Sequence, residues 1–151
     1  MTEFVKFEQA LALRELGFDE PCFTSYDDEG DLRNPFDYSN SEYDHNRRYI
    51  GDTKNFVHNS ELTIENFIGN KDFYTQFIAA PLYQQAFRWF REKYVLHSYI
   101  ETSQSITNGY LAYDYVILGE GIKTEDDGRT LTTYEEAELE CLNKLIEIVK
   151  S

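Results

Sequence analysis

The chain has 151 residues, with 28 Asp and Glu against 14 Lys and Arg, a formal charge of -14 at pH 7, and 41% hydrophobic and 16% aromatic residues. That length suffices for one domain over residues 1–151 without disulfides or a structural metal, and twelve Tyr with eleven Phe exclude a chain disordered throughout. The acidity opposes binding to DNA, RNA or an anionic membrane, while the lack of a 20-residue apolar run or a basic-then-apolar leader predicts a cytoplasmic protein.

Residues 7–16 carry Phe7, Ala10, Leu11 and Leu16 at helical intervals, and Gly17 stands where a left-handed C-terminal cap belongs. Pro21 stops any continuation. The stretch 22–26, CFTSY, suits a strand, and 27–31, DDEGD, suits the turn that ends it. The acidic residues of that turn fail the spacing of a calcium loop, which needs Gly at the sixth position and Glu at the twelfth. No metal site is expected there. Cys22 and Cys141 lack CxxC or Cys/His spacing and read as buried thiols of a reducing compartment in preference to a disulfide.

Residues 33–77 hold no sustained period and read as a loop-rich insertion. Within it Tyr38, Glu42, Tyr43, Asp44 and Tyr49 mix rigid aromatic and acidic side chains as protein-binding surfaces do. Arg47 and Arg48 lie among them and are candidates for holding phosphate. The bland alternative is a solvated loop with its aromatics tucked on the core.

Residues 80–94, APLYQQAFRWFREKY, place Pro81 where a helix begins, and Tyr83, Ala86, Phe87, Phe90 and Tyr94 form an apolar stripe. On its flanks Arg88, Trp89 and Arg91 are ligand-binding candidates, two guanidinium groups for phosphate and an indole plane for stacking. The competing reading puts Trp89 at the edge of the core and the cations against neighbouring carboxylates. Residues 96–101 and 110–118 predict a β-hairpin whose second strand, apolar on both faces, is central. Residues 122–124 and 129–131 flank a Gly-containing turn that suits a further short hairpin. In the last helix Thr133 and Glu136 have capping-box spacing, and Tyr134, Ala137, Cys141, Leu142, Leu145, Ile148 and Val149 give a broad apolar face. Its glutamates are explained by helix polarity and solvation without catalysis.

The blocks FEQALALRELGFDEPCF, APLYQQAFRWFREKY and TYEEAELECLNKLIEIVK resemble a family of small uncharacterised proteins encoded by phages and prophages of Bacteroidetes. They span about a third of the chain, and the resemblance implies no activity, cofactor or catalytic residue to carry over.

The expected architecture is α+β, three helices on a small, mostly antiparallel sheet with the 33–77 insertion between the first strand and the middle helix. His45, His58 and His97 have no ligand spacing, and the phosphate-loop, zinc-protease and nucleophile-elbow patterns are missing. The expected function is therefore a noncatalytic phage accessory protein in a bacterial cytoplasm, without cofactor. It would bind a host protein, such as a defence or nucleic-acid-handling factor, through its acidic Tyr-rich surface. A binder of a small signalling nucleotide, and an oligomeric or virion-associated component, are the other two readings.

Overall fold

The computed structural model describes residues 3–27, 29–32, 58–59, 78–104, 108–124 and 131–151. The fold is α+β, with three helices and two small antiparallel sheets, of two and three strands, among the described residues. The chain divides into two compact units, Phe4–Leu82 and a second made of Met1–Glu3 with Tyr83–Ser151.

In the Phe4–Leu82 unit, helix α1 (Phe7–Glu15) ends as its sequence dictates. Gly17 takes φ 90, Gly17 N–H bonds to Arg14 C=O at 3.0 Å and Phe18 N–H to Leu13 C=O at 2.9 Å, the double closure of a Schellman cap. Strands β1 (Thr24–Tyr26) and β2 (Ile78–Ala80) pair antiparallel, Thr24 opposite Ala80, and α1 packs on β2. Val5, Leu13, Phe18 and Ala80 are sealed from solvent. The Tyr26 hydroxyl donates to Val5 C=O at 2.7 Å, and its ring meets Phe7 edge to face at 5.6 Å. The acidic turn after β1 is a hairpin turn, because the Asp27 carboxylate accepts from the N–H groups of Glu29 at 3.0 Å and Asp31 at 2.9 Å. Gly30, at φ 85, lets the turn lie on Phe7, whose ring is 3.3 Å from where a Cβ would stand. Asn59 ties the end of α1 to β2: its amide donates to Phe18 C=O at 2.8 Å and its carbonyl accepts from Ala79 N–H at 2.9 Å.

Pro81 does not open the middle helix. Ile78–Ala80 is a strand, Pro81 C=O accepts from Val5 N–H at 2.9 Å and Leu82 bridges Phe4, so these residues are extended and helix α2 begins two residues later, at Tyr83. The N–H that proline lacks is one the extended segment does not need.

In the second unit α2 (Tyr83–Tyr94) buries Tyr83, Ala86, Phe87, Trp89 and Phe90. It passes into strand β3 (His97–Gln104) through Val95 and Leu96 alone. Val95 holds φ 56, rare for a β-branched residue, and Leu96 N–H closes back on Phe90 C=O at 3.3 Å. β3 pairs antiparallel with β4 (Leu111–Gly119), which is the central strand as its two apolar faces require, and β5 (Ile122–Lys123) lies on its far side. The hairpin expected over 122–131 turns on residues that lie outside the described ones. Gly121, at φ 70, turns the chain so that Ile122 pairs with Gly119, while Leu131 bridges Tyr113.

Helix α3 (Tyr134–Lys150) packs on β4, β3 and α2 and buries Ala137, Glu138, Cys141, Leu142, Leu145 and Ile146. Thr133 Oγ1 accepts from Glu136 N–H at 3.1 Å. The return bond falls one residue earlier than in a capping box, from Thr132 N–H at 3.1 Å and its hydroxyl at 2.9 Å to the Glu136 carboxylate. Those bonds from Thr132 hold the Glu136 pKa below its ordinary value. Its contribution is therefore complete above that value and is lost on acidification through the lowered one. Replacing Thr133 by Ala is expected to lower unfolding free energy by about 1 kcal/mol, read as a lower urea midpoint at an unchanged slope.

Candidate functional site

One face of α2 carries Gln84, Phe87, Arg88 and Arg91, spaced by three and four residues so that all project the same way. With Gln85, Ser98, Tyr99, Ile100, Tyr134 and Cys141 they line a groove of about 500 Å³ inside the second unit. None of these lining residues is acidic, although the chain carries -14. Two exposed guanidinium side chains, Arg88 and Arg91, stand on one wall and bring positive charge to it.

The opposite wall is the outer edge of β3, as its pairing shows. Ser98 stands opposite Ile117, Ile100 opposite Tyr115 and Thr102 opposite Tyr113. Ile117 turns its main chain away from β3, with Thr124 N–H donating to Ile117 C=O at 3.1 Å and Ile117 N–H donating to Thr124 Oγ1 at 2.9 Å. Tyr113 does the same toward Leu131, at 3.0 and 3.2 Å. Antiparallel neighbours alternate between pairs bonded to each other and pairs whose polar groups face apart. Ser98, Ile100 and Thr102 therefore point their N–H and C=O groups outward from the sheet. Among the described residues no strand pairs with that edge. Three consecutive residues, 98–100, line the groove, whereas only alternate ones share a face, so the groove laps over the strand's edge.

The Cys141 thiol is pushed up to about 12, first by burial and then by Glu138, with the Ser98 hydroxyl beside it offsetting a part. Burial, helped by Glu20 and Asp19, likewise raises Cys22 to about 12. Both thiols are free and buried, and neutral thiols are poor nucleophiles at pH 7. Tyr134 is 42% exposed at the groove and meets Tyr113 edge to face at 6.1 Å. Its hydroxyl pKa is raised, chiefly by burial.

Glu138 is buried next to the groove and accepts from the Gln84 amide at 3.3 Å. Burial raises its pKa; the Gln84 bond works against that, and Glu135 and Glu3 add to it. A carboxyl raised in the fold favours its protonated form, so its effect on stability falls away as pH climbs from the ordinary carboxyl value through the raised one. Glu138→Gln keeps an acceptor for Gln84 and removes the charge. It should give a higher Tm than the parent at pH 7 and no advantage below about pH 4, where both states are protonated.

Of the sequence-derived candidates, the structure brings Arg88 and Arg91 together in this groove. Trp89 is elsewhere: it is 7% exposed, packs edge to face on Phe90 and Tyr94 at 5.1 and 5.4 Å and is covered by the Lys93 ammonium at 4.7 Å. The indole is core, and the exposed ring at the groove is that of Tyr134. Tyr38, Glu42, Tyr43, Asp44, Arg47, Arg48 and Tyr49 lie outside the described residues. Sequence reading missed Gln84, Ser98, Ile100 and Tyr134. Tyr134 was legible only as part of an apolar helix face. Among the described residues no group of three or more His, Cys, Asp and Glu stands ready for a metal, and no helix is long and apolar enough to cross a membrane.

The chain is thus an α+β protein with an arginine-lined groove against a strand edge. No family model, curated protein or solved structure matches it.

Proposed function

We propose that this chain is a noncatalytic binding protein that takes an anionic partner in the groove between α2 and β3, and that it is a phage accessory protein acting on a component of its bacterial host. The observation that carries the reading is the meeting of Arg88 and Arg91 in a groove whose described lining residues include no acid, on a chain where acids outnumber bases 28 to 14. The neutral Cys141 thiol, at about 12, favours binding over covalent chemistry. The resemblance of residues 7–23, 80–94 and 133–150 to phage proteins supports the source. The stretch 38–49 is rich in Tyr and balances Glu42 and Asp44 against Arg47 and Arg48, and it is the chain's overall charge of -14 that favours a basic patch on a host protein.

A phosphorylated small ligand is the second reading, favoured by the half-exposed Tyr134 ring beside the two guanidinium groups. Thermal shift of the whole chain against pyrophosphate, ATP, cyclic dinucleotides and a Glu-rich peptide tests both. A ligand at a hundred times its Kd stabilises by about 2.7 kcal/mol, or roughly 5–10 °C in Tm at this size. The shift should vanish in Arg88→Glu/Arg91→Glu. No shift from any of the anions would defeat the groove reading, and a nucleotide shift without a peptide shift would select the second.

A further inference from the structure

We propose that the groove binds an extended acidic peptide segment of a partner protein, and that the segment adds to the outer edge of β3 as an extra antiparallel or parallel strand. This rests on the anion-binding reading above and names the partner's chemistry and its mode of attachment.

Ser98, Ile100 and Thr102 direct their N–H and C=O groups outward, as the bonds of their partners Ile117 and Tyr113 to Thr124 and Leu131 require. Strand β3 runs eight residues, His97–Gln104, so its edge offers about 26 Å of regularly spaced donors and acceptors. Such an edge is a template for another strand unless something blocks it. Its side chains contain no proline and no lysine, and Glu101 is its one charged residue. Cross-strand pairing puts Glu101 with Asp114, on the face opposite Ser98 and Ile100, so it does not guard the groove side.

A helix beside an open edge strand is the arrangement in which an added strand gains both main-chain pairing and side-chain pockets. An added strand lying along β3 would place alternate side chains on the Ser98–Ile100 face, toward α2. There they would meet Arg88 and Arg91, with the Gln84 and Gln85 amides at the other end of the helix. Carboxylates suit those positions because guanidinium forks donate to both of their oxygens in bidentate geometry. A compact phosphate ligand uses the two arginines and leaves the strand edge idle; an extended acidic segment uses both walls. Charge complementarity selects the occupant: the described lining residues include two cations and no anion, while the chain as a whole carries -14, so an acidic segment finds its counter-charge in this groove and a basic one finds it on the rest of the surface.

The test uses the full chain and a set of capped eight-residue peptides with Glu at alternate positions and Val, Thr or Tyr between, followed by fluorescence anisotropy. Each binding peptide is then remade twice, N-methylated at alternate amides in one register and in the other. A strand bonded along a single edge loses affinity at least tenfold in one register and keeps it in the other. Amide hydrogen exchange at Ser98, Ile100 and Thr102 should slow on binding. Arg88→Glu/Arg91→Glu should reduce affinity at least tenfold and Lys123→Glu, on the far strand, should not. Binding that depends on the arginines but is equal for both methylated registers, with no protection in β3, would overturn strand addition and leave the anion groove standing. No binding by any peptide, with pyrophosphate or ATP still stabilising the chain, overturns it in favour of a small phosphate ligand. No response to peptide or phosphate overturns both.

Discussion

Phe90→Ala is expected to destabilise the second unit by about 3–5 kcal/mol. Phe90 is 0% exposed, and its ring lies 5.1 Å from Trp89 and 5.8 Å from Tyr94. Truncation removes the transfer free energy of a phenyl group and leaves a cavity whose walls are aromatic rings of fixed shape. Those rings cannot close in without leaving their rotamers, so the cost belongs at the upper part of the range. A urea titration would show the midpoint fall with the slope unchanged. Phe90→Leu, which keeps most of the volume, should cost about 1.5 kcal/mol or less. Because Arg88 and Arg91 ride on the same helix, Phe90→Ala should also weaken any anion response, whereas loss of that response with undisturbed stability marks a change in the groove itself.

Asn59→Ala is expected to cost about 2–4 kcal/mol in the Phe4–Leu82 unit. One side chain satisfies two main-chain groups of nearly sealed residues, Phe18 at 1% and Ala79 at 1% exposure. Removing it leaves a donor and an acceptor unpaired, each at about 1–3 kcal/mol. Asn59→Asp separates the two. It keeps the acceptor for Ala79 N–H and replaces the donor to Phe18 C=O with a second oxygen, so part of the loss should remain and should deepen as pH rises through the carboxyl range. Hydrogen exchange at the Ala79 amide is the local reading, fast in the Ala variant and still slow in the Asp variant above the carboxyl pKa.

Most of the helical framework was legible because its signals are local. Gly17 after a periodic stretch, Thr133 three residues before Glu136, and the two apolar faces of 110–118 each specify a backbone outcome within a few residues. The second strand of the first sheet was not legible. Ile78–Ala80 is three residues long and buried throughout, too short for a period, and Pro81 after it mimics the start of a helix. Glu138 sits in an acidic run that reads as solvated, and only the packing of α3 on α2 shows one of its members to be buried. Trp89 illustrates the limit of a helical wheel: it sits on the flank of the apolar stripe, yet neighbouring Tyr94 and Lys93 cover it. The groove was half visible, as arginines on one helix. Its other wall depends on which main-chain groups of β3 face outward, and that is decided by Thr124 and Leu131, residues seven and eighteen positions away from their partners Ile117 and Tyr113.

The two-residue link at Val95 and Leu96 makes the walls of the groove two leaves on one spine. Tyr94 ends one leaf and His97 begins the other, so their separation is fixed there by covalent reach, and any opening must grow with distance from the spine. Arg91 lies about one turn from it and Gln84 about three. Arg91 is therefore the guanidinium whose distance from β3 the backbone link constrains most.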